Sequence, residues 1–304
     1  MKKGAAYLSI WMEVVRGLNA AVADCQAGLG DAAYSIDAAA VLYTGSLTAQ
    51  QNDQGILLFA LAEVRAHQMN TGGHLGDNSD DATASSNGGS VNTGDSAVNA
   101  EIMREFNRMQ AFVTSRDCTG ATASKVKIVT LMKIPMIQGV MRYAYIRDKD
   151  QPTNQQDLQR AQAEGAVFAA TILPFVYTCD TRVAKVIHEN MKMGATTKFA
   201  DVKNALERSY ACMGIVCKDI GGVWNHTLQG YESGASPCGV SANDKSKKGA
   251  AIGGFFGISV GVLLAGWAFL RFRHRLPKLG AKRARKTMPP MYSSGNIAAV
   301  TEIA

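Results

Sequence analysis

Residues 249–270 read GAAIGGFFGISVGVLLAGWAFL, twenty-two residues without one charged side chain. As a helix such a run reaches across the hydrocarbon core of a bilayer, which is about 30 Å thick. Arg271, Arg273, Arg275, Lys278, Lys282, Arg283, Arg285 and Lys286 follow it directly, whereas only Lys245, Lys247 and Lys248 precede it. The side richer in cations stays in the cytosol. The stretch therefore predicts one C-terminal transmembrane helix, a basic cytoplasmic tail over 271–304, and everything up to about residue 244 outside. That is a single-pass plasma-membrane topology, with the N-terminus outside.

The net charge of +7 takes on a different meaning once the chain is divided there. Residues 1–244 hold 21 Lys+Arg against 24 Asp+Glu, and residues 245–304 hold 11 against one. The positive charge belongs to the tail, where it favours anionic inner-leaflet lipid. A nucleic-acid groove in the folded part is not indicated.

All six cysteines, Cys25, Cys118, Cys179, Cys212, Cys217 and Cys238, precede the apolar run. An even set outside the cell predicts up to three disulfides with fifteen pairings, and Cys212 and Cys217 are near enough to close a small loop. Zinc is the competing reading, but it calls for paired short spacings and one short Cys pair is present. Asn225-His226-Thr227 is a glycosylation sequon on the exterior side. The opening residues begin as a signal peptide does, with Lys2 and Lys3 before apolar residues, but Glu13 and Arg16 interrupt the apolar region. They read as a first helix, so either the span serves as signal-anchor or the natural chain begins further upstream. The disulfides favour the second.

Helical spacing of apolar residues recurs over 4–24, 31–47 (with Asp31 as N-cap), 55–68, 100–115, 125–145, 154–176, 181–193 and 198–216. Gly72-Gly73 is expected to end the third, and Pro135 and Gly139 to bend or break the fifth. Residues 70–99 are rich in Gly, Ser, Asn, Thr and Asp and read as a polar insert. No run alternates strictly, so strands should be few. The fold class is all-α: an Ala-rich helical bundle ectodomain over 1–240, plus the transmembrane helix.

Several strings are similar to a known family. YTGSL (43–47), GILLFALAEVRAHQMNTGG (55–73), KIPMIQGVMRYAY (133–145), AEGAVFAATILPFV (163–176) and YACMGIVCKDIGG (210–222) together resemble the low-iron-inducible periplasmic protein family of algae, which includes the diatom phytotransferrins or iron-starvation-induced proteins. The resemblance covers most of residues 7–222. It implies a cell-surface protein that captures Fe3+, in some members with carbonate, for endocytic uptake and endosomal cycling. Members normally start with a signal peptide, which agrees with a chain that begins upstream.

Ferric ion prefers phenolate, carboxylate and carbonate oxygen, and accepts imidazole. Arginine suits the carbonate better than lysine does, because its fork is bidentate. Inside or near the quoted strings, Tyr34 and Asp37 share a helix face with Tyr43 further on, Glu63 and His67 share another, and Tyr143 and Tyr145 lie close together. These seven are the candidate metal ligands, with Arg65 and Arg142 as carbonate anchors. Each has a plainer reading as a packing tyrosine, a paired helix charge or a surface histidine. His74, His188 and His226 read as structural or exposed.

Enzyme signatures are missing: there is no GxSxG, HExxH or P-loop, and the reading is of a non-enzyme. The alternative function is a surface receptor or adhesion ectodomain that binds no metal. In the C-terminal part, Gly253, Gly257 and Gly261 form a GxxxG tandem that would let two spans dimerise. Pro289, Pro290 and Tyr292 form a PPxY motif of the kind that WW-domain partners bind, which would serve endocytosis. Acidification should release the iron, because protons compete for every ligand.

Overall fold

A computed structural model describes residues 2–45, 57–72 and 96–238. The chain divides into two units, Met1–Lys245 and Ser246–Ala304, and all described residues belong to the first. Its helices are α1 (Lys2–Ala27), α2 (Ala32–Thr44), α3 (Leu58–Met69), α4 (Ala97–Thr114), α5 (Cys118–Leu131), α6 (Ile134–Asp148), α7 (Gln155–Cys179), α8 (Thr181–Met191), α9 (Phe199–Met213) and the single turn α10 (Cys217–Ile220). The strands described are β1 (Trp224–Asn225) and β2 (Gly230–Tyr231), an antiparallel hairpin. The all-α expectation for this part of the chain therefore holds.

The helix ends follow local chemistry. Asn154 accepts from the Gln156 amide to start α7, and Asp180 accepts from the amides of Arg182 and Val183 to start α8. Ser96 caps α4 and Asp117 caps α5 in the same way. Asp31 occupies the N-cap position of α2 but makes no side-chain cap. Asn70, at φ 52°, ends α3 in place of the expected Gly72-Gly73. Pro135 acts as foreseen, since it stands in the first turn of α6 and separates that helix from α5. Ser96 already pairs with Gly72, so the stretch read as a polar insert has structured edges, while 73–95 lie outside the described residues.

Sequential neighbours pack together, α1 on α2, α4 on α5 and α6 on α7, and α6 also touches α3, α8, α9 and α10. Its central place follows from its sequence. Eleven of its fifteen residues are buried, so IPMIQGVMRYAYIRD has no solvent face broad enough for a surface helix. Its buried polar groups are all used. Gln138 donates to Thr71 Oγ1 and to the Ile220 carbonyl, and Arg147 donates to the carbonyls of Met191, Lys192 and Ala195.

Three disulfides join the elements: Cys25–Cys118, Cys179–Cys212 and Cys217–Cys238. No free cysteine stands among the described residues, which leaves no thiolate for zinc. Cys212 and Cys217 do not close a loop together. Cys212 sits in α9 against the end of α7, and the left-handed Gly214 turns the chain before Cys217.

The membrane expectations need correction. Among the described residues no helix is long and apolar enough to cross a membrane. The two long helices are interrupted by charge, α1 by Glu13 and Arg16, and α7 by Asp157, Arg160 and Glu164. The run 249–270, its basic flank, its glycine repeat and Pro289, Pro290 and Tyr292 lie outside the described residues. The fold class of the described residues is corrected to an all-α bundle in which no helix is long and apolar enough to cross a membrane. Nothing in that bundle supplies the span on which the single-pass plasma-membrane location, the anionic inner-leaflet lipid contact and the homodimer rest.

Candidate functional site

The nine residues singled out for metal and carbonate fall into separate places. Tyr34 is 76% exposed on α2. Asp37 is also exposed and accepts from Gln110 of α4. Tyr43 and Glu63 meet, but through a third residue. The Tyr43 hydroxyl donates to Asn99 Oδ1 at 2.6 Å, and Asn99 Nδ2 donates to Glu63 Oε1 at 2.5 Å. Glu63 Oε2 accepts the Ser96 amide at 3.1 Å. Burial, and then the Glu63 charge, push the Tyr43 phenol well above its ordinary range. This buried network clamps α2, α3 and α4 together and keeps Tyr43 protonated.

His67 stacks on His226, with ring centroids 3.8 Å apart. Tyr145 donates to Glu232 Oε2 at 3.1 Å, and desolvation followed by that bond pushes its pKa up to about 12. Asn225, the sequon residue, is engaged in its turn. Its Oδ1 accepts the amides of Thr227 and Leu228, and its Nδ2 donates to Glu232.

Arg65 and Tyr143 do come together. Arg65 is 5% exposed, and its guanidinium carbon lies 4.9 Å from the Phe168 ring centroid and 5.3 Å from that of Tyr143. Nη1 donates to Gln68 at 2.5 Å. Nε has no partner, and it is the one buried side-chain nitrogen or oxygen in that condition among the described residues. Tyr143 donates its hydroxyl to Glu164 of α7. Tyr7 of α1 is buried and stacks on Phe168 at 6.3 Å, so Tyr7 and Tyr143 lie on the same phenylalanine.

Two glycines allow this approach. A Cβ at Gly139 would stand 2.6 Å from the Phe168 ring, and one at Gly165 would stand 3.0 Å from Tyr143 Cβ. The α6–α7 seam is thus closed at the level of Arg65.

The electrostatics are those of a buried cation among phenols. Burial pushes Tyr143 up, the Arg65 charge pulls it down, and the bond to Glu164 raises it again. Tyr7 is raised by burial, with Arg65 opposing and Glu164 adding. Arg142 is half-buried and makes no hydrogen bond or ion pair among the described residues. Burial and then the Arg65 charge lower its pKa. The cluster therefore offers two phenols and one carboxylate as oxygen donors, with a guanidinium edge still open to an acceptor.

Tyr7, Glu164, Gln68 and Phe168 are members that sequence reasoning missed. Glu164 did carry a signal, being the one charged residue between Arg160 and Asp180 in an otherwise neutral stretch. Tyr7 fits the apolar face of α1 and reads only as core. Among the described residues no group of three or more His, Cys, Asp and Glu is placed to hold a metal ion. Asp37, Glu63 and His67 are therefore not brought together as such a group. No protein-family model, curated protein or solved structure matches the chain, so no family is assigned to it.

Proposed function

We propose that this helical domain binds Fe3+ together with carbonate at the cluster of Tyr7, Tyr143, Glu164 and Arg65. The observation that carries the reading is the unpartnered Nε of buried Arg65 beside the Tyr143–Glu164 pair. An arginine buried with an open donor calls for an acceptor, and an oxyanion supplies one.

Charge balance favours the combination. With Tyr7 kept as a neutral phenol, the Tyr143 phenolate, the Glu164 carboxylate and carbonate bring four negative charges, and a ferric ion with Arg65 brings four positive ones. A buried assembly that closes neutral avoids the penalty of an isolated charge. Hard trivalent iron matches these donors better than it matches thiolate or thioether. Iron must displace the Tyr143 proton, which burial holds on the phenol, so binding releases protons and weakens as pH falls.

The test is equilibrium dialysis of the purified chain against a ferric chelate, with and without bicarbonate. Retention should require bicarbonate and fall at least about tenfold in Arg65→Ala, the loss of one charge-assisted contact of about 1.5–3 kcal/mol. Retention indifferent to both bicarbonate and Arg65 would remove the anion from the proposal, and absence of retention would remove the metal.

A further inference from the structure

Among the described residues two arginines are buried, Arg65 and Arg147. Arg147 spends its donors on the backbone carbonyls of Met191, Lys192 and Ala195. Arg65 is served differently. It makes no ion pair among the described residues, its Nη1 donates to the side-chain oxygen of Gln68 at 2.5 Å, and its Nε is open. The rings of Phe168 and Tyr143 attract the cation but bring it no formal charge. The carboxylates of the neighbourhood are engaged elsewhere, Glu164 with Tyr143, and Glu63 with Ser96 and Asn99.

The residue that meets Arg65 is the unusual feature. Arg16, Arg104, Arg108 and Arg160 are exposed on their helices, and each pairs with an acid three residues away, Glu13, Glu101, Glu105 and Asp157. Position 68 stands at the same spacing from Arg65 on α3 and carries an amide instead. A counter-charge is thus given to arginines already in water, where it contributes little. It is withheld from one out of water, where an unpaired charge is costliest.

We propose that Gln68 is a positioning residue that holds Arg65 without neutralising it, and so reserves the Arg65 charge and its open Nε for an oxyanion that binds with or without iron. The inference rests on the reading of Arg65 as an anion contact. The amide fixes the guanidinium through Nη1, and the anion supplies the missing charge and the missing acceptor. A carboxylate at position 68 would supply both from within the chain and leave the anion nothing to neutralise. Gln68→Glu therefore has two effects of opposite sign: the ligand-free chain holds its stability or gains, and the anion binds more weakly. A substitution at a merely structural position lowers stability and leaves the preference for the anion in place.

Urea unfolding of the purified chain at about pH 8, in sodium bicarbonate against sodium chloride of equal ionic strength and with no iron added, tests the role of Gln68. An anion that binds the folded state raises the midpoint as its concentration grows. The wild-type midpoint should rise in bicarbonate relative to chloride, and Arg65→Ala should lose that rise. Gln68→Glu should have a midpoint in chloride at or above that of the wild type, and should bind bicarbonate at least about tenfold more weakly, the loss of one charge-assisted contact. Gln68→Met gives up the hold on Nη1 but adds no charge, so it should bind bicarbonate more tightly than Gln68→Glu does. A wild-type rise no larger than that of Arg65→Ala would overturn the proposal. So would a Gln68→Glu chain with the wild-type response, or a Gln68→Met chain that loses the response as fully as Gln68→Glu. The iron reading is judged apart, since a wild-type chain that responds to bicarbonate but retains no iron refutes the metal and supports the anion site.

Discussion

Arg65 holds its guanidinium carbon 4.9 Å from the ring centroid of Phe168, and Gly139 makes the space in which that ring lies. The stack orients a cation whose Nε has no partner, so the phenylalanine is part of the site although it has no polar atom. Gly139→Ala would press a methyl group on the ring at 2.6 Å. It should cost about 1–3 kcal/mol by overpacking, read as a lowered urea midpoint with unchanged slope. Phe168→Leu should cost about 1–3 kcal/mol from lost cation–π attraction and packing, and should weaken bicarbonate-dependent retention of iron.

Asn99 separates structure from site. It joins Tyr43 to Glu63 in a buried network remote in composition from the Arg65 cluster. Asn99→Leu strands both partners, so a loss of about 2–5 kcal/mol in urea unfolding is expected. Tyr43→Phe removes a single hydroxyl and should cost about 1 kcal/mol. Iron retention should be the same in Tyr43→Phe as in the wild type, in contrast to Tyr143→Phe.

The disulfides should rank by the loops they close. Cys25–Cys118 spans 93 residues, Cys179–Cys212 spans 33 and Cys217–Cys238 spans 21. Chain-entropy estimates for these are about 4.7, about 3.7 and about 3.3 kcal/mol. Paired Cys→Ser variants compared by thermal unfolding should follow that order.

Glu101 sets an acid limit on the α4–α5 pair. Burial raises its pKa, but hydrogen bonds and charge from Lys127 and Arg104 outweigh burial and leave it below the usual value of 4.5. A depressed carboxylate stabilises the fold above its unfolded pKa and loses that contribution as pH falls through the folded one. Stability should therefore decline below about pH 4.5, a window set by the unfolded carboxylate value. Lys127→Ala should flatten the decline, as followed by urea midpoints from pH 6 to pH 3.

The helices were legible because their signals are local. Pro135 breaks the 125–145 run, and Asn154 and Asp180 open helices with their own side chains. Residues 118–124, CTGATAS, show no apolar period, and α5 starts there because Asp117 accepts the Gly120 amide and Cys118 is tied to Cys25. The site was legible in half. Arg65 and Tyr143 stand out as chemistry within apolar helices, but their partners come from α1 and α7, and no spacing rule connects Tyr7, Arg65, Tyr143 and Glu164 across four helices. Tyr43 and Glu63 have the chemistry of iron ligands, but Asn99 bonds to both.

The most direct test of the central claim is a ferric titration of the purified chain in bicarbonate buffer, followed by visible absorption. Iron bound by a phenolate gives a tyrosinate-to-iron charge-transfer band. The band should saturate in the wild type, be lost in Tyr143→Phe, and fade as pH is lowered from 8 to 5. A wild-type chain that develops no such band, or a Tyr143→Phe chain that develops the full band, would contradict the account.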